Sequence, residues 1–295
     1  MTTTQASPEE VVRAACHDLG LPSGDLTPVR NHANSVYVLP EWGAVARVSR
    51  SAKADRITAS IKLTRRLASQ GFPAVEPLDV PQPVHRPPSI VTFWKHYPQR
   101  DRALPSAGHL GALLQRLHEL TSPSLHLPPF HPLTSLGDAV TASRILTPEA
   151  RTWLLSSIGE LITTYDELEF PLGTGLVHGD AYPGNTLWDG DSVRLGDWDE
   201  ASFGPRELDL VNTFHGAARF GRSAEELRAF TQGYGYDPSS WPGLAVLTRI
   251  RDLHTLGSFI RRADSGDARA EQQLAHRLGT LRRGDTRTSW NVLST

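Results

Sequence analysis

The spacing of apolar and polar residues changes several times along the first third of the chain. Residues 34–39 and 44–48 are rich in β-branched and aromatic side chains and predict two strands joined by a turn. From 55 to 70 the apolar residues recur at helical spacing, and the apolar run 89–94 predicts another strand. The proline-rich stretch 79–89 is expected to be a connecting loop. The pattern therefore predicts a small α+β unit over the first 94 residues.

Two serines indicate where helices begin. Ser7 and Ser223 are each followed three residues later by a glutamate, Glu10 and Glu226 respectively, which is the spacing of a capping box. The first of these predicts a short amphipathic helix that continues through Leu19.

Beyond a proline-containing segment at 98–106 the pattern becomes mostly helical. A stripe of leucines between Leu110 and Leu120 falls on one helical face, and a loop is expected over 121–132. A β-like island at 175–199 interrupts the helices. We predict a boundary after residue 95, with a small unit at 1–95 and a larger, mainly helical unit at 96–295. The further helices are predicted near 147–168, 207–220, 223–233, 243–262 and 267–283.

Composition matters mainly for the classes of protein that it excludes. The 295 residues include 30 basic and 32 acidic side chains, for a net charge of −2, whereas a nucleic-acid or anionic-membrane surface needs a basic excess. No apolar run approaches the roughly 18 residues of a membrane span, and the polar start lacks a signal-peptide pattern. The single cysteine, Cys16, cannot form an internal disulfide. We expect a cytoplasmic protein whose partners include neither nucleic acid nor membrane.

The island at 175–199 carries the candidate chemistry. Asp180 follows an apolar run, Asn185 lies five residues later, and Asp197 lies twelve residues beyond that. Phosphoryl transfer from a nucleotide needs a carboxylate that orients the attacking hydroxyl or accepts its proton, and oxygen ligands that hold Mg²⁺ against the phosphates. A loop after one strand and the end of a following hairpin are expected to bring these groups to one cleft.

The motifs resemble those of the aminoglycoside phosphotransferase family. They are His-Gly-Asp-x4-Asn at 178–185, Gly-Asp-Trp-Asp at 196–199, and the Gly-Pro and Asp-Leu pairs within 204–210. That family is similar to the choline kinases and, in fold, to the protein kinases. The resemblance covers the chain from about Asn34 to its end. It implies an α+β, bilobal protein-kinase-like fold with a small β-rich N-lobe and a larger, mainly helical C-lobe.

The resemblance also implies roles within the motif. It makes Asp180 the catalytic base or hydroxyl-orienting residue, and it makes Asn185 and Asp197 catalytic residues that ligate Mg²⁺. An isolated Asp or Asn in a loop is usually a turn former, so only the joint spacing favours the functional interpretation. His178 is expected to brace the loop, and Asp199 either faces substrate or metal or makes a structural hydrogen bond.

A kinase also needs a cover for the phosphates and a cation on them. Asn34 and Ser35 lie where the family has its phosphate-covering loop, although an ordinary hairpin is the alternative. Arg47 occupies the strand position at which kinases place lysine, and its planar fork suits bidentate contact with phosphate oxygens. Backbone groups of Trp94 and Lys95 are expected to meet the purine of ATP or GTP, unless this segment is a plain linker.

One position departs from the family pattern. The helix at 55–70 should carry a glutamate that pairs with the strand cation, but the expected place holds Ala59 and Ser60. Asp55 and Glu76 are the nearest carboxylates. Either one of them replaces the missing glutamate as the partner of Arg47, or that ion pair is absent. This departure keeps open a catalytically weak nucleotide-binding kinase homologue with a regulatory or binding role.

The expected acceptor-binding helices, 207–220 and 243–262, are poor in acids, and the second carries four arginines between 249 and 262. Tight binding of a polycation requires carboxylates, so this charge pattern favours a neutral or anionic hydroxyl compound over an aminoglycoside. A lone His or Asp on such a helix is more often a satisfied core residue than a ligand. The candidate substrate-contacting residues are Asp180, Asp199, His215 and Asp252.

These observations together predict a nucleotide-dependent O-phosphotransferase that acts on a hydroxyl group of a small metabolite or antibiotic. Its cofactor would be Mg²⁺, with ATP or GTP as co-substrate. Besides the weak homologue, a magnesium-dependent phosphohydrolase that uses the same acids is a second alternative. The kinase, the weak homologue and the phosphohydrolase differ in turnover, because only a kinase releases nucleoside diphosphate in proportion to phosphorylated product.

Overall fold

The computed structural model describes residues 6–31, 34–99, 102–120 and 127–291. Within them the chain forms two compact units. Of the described residues, the first takes in those up to Pro105 and the stretch Pro183–Ala201, and the second takes in all the others. The chain thus changes unit after Pro105 and on both sides of Pro183–Ala201, whereas the sequence suggested one boundary after residue 95. That lobe boundary stays a prediction.

The secondary structure mixes helices with short strands. The helices are α1 (Pro8–Asp18), α2 (Ala54–Ser69), α3 (Ala107–Glu119), α4 (Thr134–Ala142), α5 (Pro148–Asp166), α6 (Glu207–Phe220), α7 (Ala224–Tyr234), α8 (Gly243–Asp264) and α9 (Ala268–Arg282). The strands are β1 (Thr27–Asn31), β2 (Ser35–Leu39), β3 (Ala44–Arg50), β4 (Val84–Arg86), β5 (Ser89–Lys95), β6 (Thr174–Val177), β7 (Thr186–Asp189), β8 (Ser192–Leu195) and β9 (Ser202–Pro205). Both predicted capping boxes are present, at the start of α1 and of α7.

An antiparallel sheet with strand order β1-β2-β3-β5-β4 organises the first unit. Tyr37 of β2 pairs with Ala46 of β3, which in turn pairs with Phe93 of β5. These three residues are buried and pack in one core with Cys16 of α1. Because successive side chains point to opposite faces of a strand, Arg47 lies on the other face of the sheet. The register of β3 therefore decides on which face the candidate phosphate-binding cation stands.

The hairpin β7–β8 also belongs to the first unit. The Leu195 N–H donates to the carbonyl of Pro73 at 2.9 Å, and the Val75 N–H donates to the carbonyl of Leu195 at the same distance. These two hydrogen bonds attach the end of β8 to the segment that follows α2. The loop after β8, which carries Asp197 and Asp199, therefore has a fixed starting point.

Helix α8 forms the centre of the core of the second unit. Its residues Leu253, Leu256 and Ile260 are fully buried and share one apolar core with Leu136 of α4 and Leu154 of α5. Strand β6 pairs antiparallel with β9 beside this core. Among the described helices, none is both long and apolar enough to cross a membrane.

Helices α3 and α7 approach each other closely in the second unit. A Cβ added at Gly111 would lie 2.3 Å from the backbone oxygen of Phe230, and one added at Gly233 would lie 2.3 Å from that of Gly108. Any larger residue at these positions would force the two helices apart. The contact holds His118, near the end of α3, close to α7.

The hydrophobic pattern missed four short elements, namely β1, β4, β9 and α4. Strand β4 is a correction, because residues 79–89 were expected to be a loop, yet Val84–Arg86 pairs with β5. Strand β1 shows no apolar alternation, and its Val29 is 62% exposed. Short edge strands of this kind depend on pairing with a neighbouring strand rather than on local propensity, so the local sequence carries little signal for them.

Candidate functional site

The loop after β6 is held by a buried carboxylate. The backbone N–H groups of His178 and Gly179 donate to Oδ2 and Oδ1 of Asp209 at 2.7 and 2.8 Å. Gly179 has φ = 80°, a backbone conformation that glycine adopts without the steric cost of a Cβ. His178 is fully buried, and its expected bracing role stays a prediction. Asp209, at the start of α6, therefore fixes the two residues that precede Asp180.

Asp209 has a further partner that the sequence analysis did not identify. Nε2 of His118 lies 3.1 Å from Asp209 Oδ2, and its Nδ1 lies 2.8 Å from the hydroxyl of Tyr234. Burial disfavours the charged form of Asp209, but the hydrogen bond and charge of His118 and the contacts from His178 outweigh it, so its pKa is lowered. A histidine inside the leucine stripe of α3 was the signal that could have identified this network.

Asp180 is the predicted catalytic residue that belongs to the second unit. Its N–H lies 3.3 Å from Nδ1 of His178, and its Oδ1 lies 2.5 Å from Nη2 of Arg251 on α8. The Asp180 side chain is 33% exposed, so solvent and small molecules can reach it. The carboxylate is thus fixed at its backbone, paired with a cation and accessible.

Asn185 and Asp197, the predicted metal ligands, both belong to the first unit. Asn185 is buried, and its carbonyl accepts a hydrogen bond from the Gly196 N–H at 2.8 Å. Asp197 has φ = 59° and ψ = 64°, a left-handed conformation that few non-glycine residues adopt. Its side chain is 45% exposed. Such backbone strain often occurs at functional sites, where the surrounding structure enforces it.

The strand cation is paired with the loop after β8. Nη1 of Arg47 lies 3.4 Å from Oδ1 of Asp197, and Nη2 donates to Oδ2 of Asp199. The Arg47 and Asp199 side chains are only 15% and 13% exposed. Helix α2 reaches the same loop through an ion pair of 2.7 Å between Arg56 and Glu200. A carboxylate partner for the strand cation therefore comes from the Asp-Trp-Asp run, which the sequence analysis did not foresee.

Glu76, one of the two carboxylates considered as a substitute, binds other cations. Its Oε2 lies 2.8 Å from Nζ of Lys95, and its Oε1 lies 2.9 Å from Nη1 of Arg194. The hydrogen bond from Lys95 is the main cause that lowers the pKa of Glu76, assisted by the charge of Arg194 and opposed by partial burial. Glu76 stabilises the end of β5 and the hairpin β7–β8.

The predicted nucleotide-binding residues at the end of β5 already have partners. The Lys95 N–H donates to the carbonyl of Glu76 at 2.8 Å. The indole N–H of Trp94 donates to Thr92 Oγ1 at 2.8 Å, and its ring packs beside the buried Ile57 and Ile61 of α2. The Lys95 N–H is therefore engaged within the protein, and contact of Trp94 and Lys95 with a purine stays a prediction.

Asn34 and Ser35 stand at the start of β2. Asn34 Oδ1 accepts a hydrogen bond from the Ser49 hydroxyl at 2.9 Å, and Ser35 is buried and pairs with Val48 of β3. His32 and Ala33, which precede them in the predicted phosphate-covering segment, lie outside the described residues. The structure thus gives Asn34 and Ser35 a place beside β3, and their contact with phosphate stays a prediction.

His215 and Asp252 were candidate substrate-contacting residues, with a satisfied core role as the alternative, and the structure places both in the core. Both are 3% exposed, and His215 Nε2 lies 3.1 Å from Asp252 Oδ1. Arg219 donates to both oxygens of Asp252, at 2.8 and 2.7 Å, while its guanidinium stacks on Trp290. A carboxylate enclosed by such partners has little accessible surface for an acceptor. The two residues instead stabilise the core between α6 and α8.

Comparison with known proteins agrees with this architecture. The family model of the phosphotransferase enzyme family (APH) matches residues 25–247. No curated protein matches the chain.

Solved structures similar to the chain are kinases and phosphotransferases of low sequence identity. An amicoumacin kinase in complex with AMP-PNP, Ca²⁺ and Ami is 15% identical, with a TM-score of 0.72 over 97% of this chain and 96% of that one. A microcompartment-associated aminopropanol kinase is 16% identical, with a TM-score of 0.70 over 94% and 98%. A spectinomycin phosphotransferase in complex with ADP and spectinomycin is 14% identical, with a TM-score of 0.65 over 95% of each chain.

These likenesses confirm the predicted kinase-like α+β fold, and the family match extends over most of the chain. The chain belongs to the phosphotransferase enzyme family and is a phosphotransferase.

Proposed function

We propose that this phosphotransferase uses a nucleoside triphosphate, ATP or GTP, and Mg²⁺ to phosphorylate the hydroxyl of a small metabolite or antibiotic. The observation that carries the proposal is the pairing of Arg47 with both Asp197 and Asp199. It joins a cation suited to phosphate oxygens and a carboxylate suited to a metal ion in one small group of side chains. Phosphoryl transfer depends mainly on positioning and on neutralising phosphate charge, and this group supplies both.

The residues of the Asp197 loop suit magnesium by their chemistry. Mg²⁺ prefers hard oxygen ligands and takes few of them from the protein when phosphates supply others. Asp197 offers an accessible carboxylate, and Asn185 offers an amide oxygen on a segment tied to Gly196. These two residues would hold the ion. When bound, Mg²⁺ would neutralise part of the negative charge of the phosphates.

Asp180 is assigned the role of hydroxyl-orienting residue and base. In the transfer, the acceptor oxygen forms a bond to the γ-phosphorus while the bond from that phosphorus to the bridging oxygen breaks. Nucleoside diphosphate leaves, and the acceptor's hydroxyl proton passes to the Asp180 carboxylate. The hydrogen bonds from His178 and Gly179 to Asp209 support this role, because they hold the backbone on which Asp180 stands.

Asp199 is assigned the place of the helix glutamate that is missing at Ala59 and Ser60. It would orient Arg47 toward phosphate through a largely buried ion pair. This pairing favours an active enzyme over a catalytically weak homologue, since the strand cation has a carboxylate to orient it.

One experiment separates the alternatives. Purified protein is incubated with Mg²⁺ and ATP or GTP, with and without a panel of polyols, hydroxy acids, amino alcohols and aminoglycosides. Nucleoside diphosphate and phosphorylated product are measured together. Equal amounts of the two support the kinase, and free phosphate without an acceptor indicates a phosphohydrolase. Nucleotide binding without turnover across the panel indicates the weak homologue and contradicts the proposal.

A further inference from the structure

Arg251 of α8 is the cation next to the proposed base. Its Nη2 lies 2.5 Å from Oδ1 of Asp180, and the two side chains are 23% and 33% exposed. Among the described residues, Asp180 is its only hydrogen-bond partner. A guanidinium carries five N–H donors in a planar fork, so donors remain for a second acceptor group. Arg251 can therefore hold Asp180 and contact a bound molecule at the same time.

Asp252 and Asp209, two buried carboxylates of the second unit, already have hydrogen-bond partners. Asp252, the next residue in the chain, binds Arg219 with both oxygens, and both oxygens of Asp209 accept backbone N–H groups of the loop. Arg249 is directed elsewhere, with Nη2 at 3.1 Å from the carbonyl of Leu281. Arg251 thus lies beside Asp180, the proposed base. Among the described side chains, only Asp180 offsets its positive charge.

We infer that Arg251 is a specificity-determining residue that binds an anionic group of the acceptor, a carboxylate or phosphate, while the acceptor hydroxyl meets Asp180. The inference rests on the proposed function. Guanidinium binds such anions through short, charge-assisted hydrogen bonds and can do so bidentately. If the hydroxyl binds Oδ1 of Asp180 and the anionic oxygen binds Nη2 of Arg251, ordinary hydrogen-bond lengths place the two oxygens no more than about 8 Å apart. An ammonium group at the same place would meet a like charge.

The kinetic test uses three six-carbon acceptors that differ only at carbon 1, namely gluconate, glucitol and glucamine. The measured quantity is the ratio of kcat/KM for gluconate to that for glucitol. We expect a ratio above one in the natural protein, at least a tenfold fall in Arg251→Gln, and substantial retention in Arg251→Lys. Arg261→Gln, an exposed arginine on the same helix, is the matched control and should keep the natural ratio. A ratio that Arg251→Gln leaves unchanged, or a natural preference for glucamine, would overturn the inference.

A binding measurement decides the same question without turnover. The ¹⁵N–¹H signal of the Arg251 guanidinium is assigned by its loss in Arg251→Lys and followed during titration with acetate and with methyl phosphate. A shift at Arg251 that exceeds that at Arg261, and that ethanol does not produce, supports the inference. The absence of any selective shift with both anions overturns it. A lack of nucleoside diphosphate release with every acceptor would count against the proposed function alone.

Discussion

Nε2 of His118 lies 3.1 Å from the Asp209 carboxylate, which at the same time accepts two backbone N–H groups of the loop that leads to Asp180. His118 comes from α3 and Asp209 from α6, so one buried carboxylate joins two helices to the loop after β6. Asp209 is fully buried, and its oxygens have no water to replace a lost partner.

Replacement of Asp209 by Asn should therefore lower both stability and activity. Removing one member of a buried ionic network typically destabilises a protein by about 3–5 kcal/mol. We expect a loss of this order in the free energy of unfolding by urea, and at least a tenfold fall in kcat, because the Asp180 backbone loses its support. Asp138→Asn, at an exposed position of α4, is the matched control. Full stability in Asp209→Asn would contradict the bracing role.

Asp180→Ala should abolish transfer while leaving nucleotide affinity within about twofold. Groups that orient a hydroxyl or accept its proton contribute roughly 10²–10⁴-fold to the rate. Single-turnover product formation measures the loss, and calorimetry measures nucleotide affinity. Asp138→Ala serves as the control. More than about a tenth of the natural kcat in Asp180→Ala would show that another group performs this step.

Asp197→Asn should weaken the binding of nucleotide in the presence of Mg²⁺ more than in its absence. The carboxylate is proposed to hold the metal against the phosphates, and its charge contributes most of that attraction. Titration calorimetry with and without Mg²⁺ gives the difference directly, and Asp191→Asn in the exposed turn of β7–β8 is the control. If the magnesium dependence is the same in natural protein and Asp197→Asn, the ligand assignment is wrong.

Asp199→Asn and Glu200→Gln should differ, although the two acids are neighbours. The Arg47–Asp199 pair is largely buried, whereas Arg56 and Glu200 are 59% and 46% exposed, and exposed ion pairs are weakened by solvent. We expect Asp199→Asn to raise the KM for nucleotide about fivefold and Glu200→Gln to change it less than about twofold.

The dependence on Arg47 can be checked by a double-mutant cycle. Asp199→Asn should add little to the effect of Arg47→Ala, because the two changes remove the same interaction. Additive effects would show that Asp199 acts independently of the strand cation.

The loss of folding stability at acid pH should depend in part on Asp252. Burial opposes its charged form, but His215 and Arg219 outweigh burial, so its pKa is lowered. A carboxyl whose pKa is lowered on folding stabilises the fold above its unfolded pKa of about 4 and loses that contribution as the pH falls further. The urea midpoint of the natural protein should therefore drop more steeply below about pH 4 than that of Asp252→Asn. If the urea midpoint falls equally steeply with pH in the natural protein and in Asp252→Asn, the lowered pKa of Asp252 is contradicted.

Local sequence determined a large part of the fold. Ser7 and Ser223 begin α1 and α7 through capping boxes, and helical periodicity located α2 and α8 within a few residues. These features depend on neighbours three or four positions apart, which the sequence displays directly. The spacing of Asp180, Asn185 and Asp197 likewise indicated the phosphotransferase family, since its motifs lie close together within one short stretch of the chain.

Tertiary structure alone decided which charges meet. Asp252 and Arg251 are adjacent in sequence, yet one is buried against Arg219 and the other reaches Asp180, because successive residues of a helix point about 100° apart. The partner of Arg47 came from 152 residues further along the chain. Ion pairs between distant elements depend on strand register and helix packing. The local spacing of the paired residues in the sequence predicts neither of these.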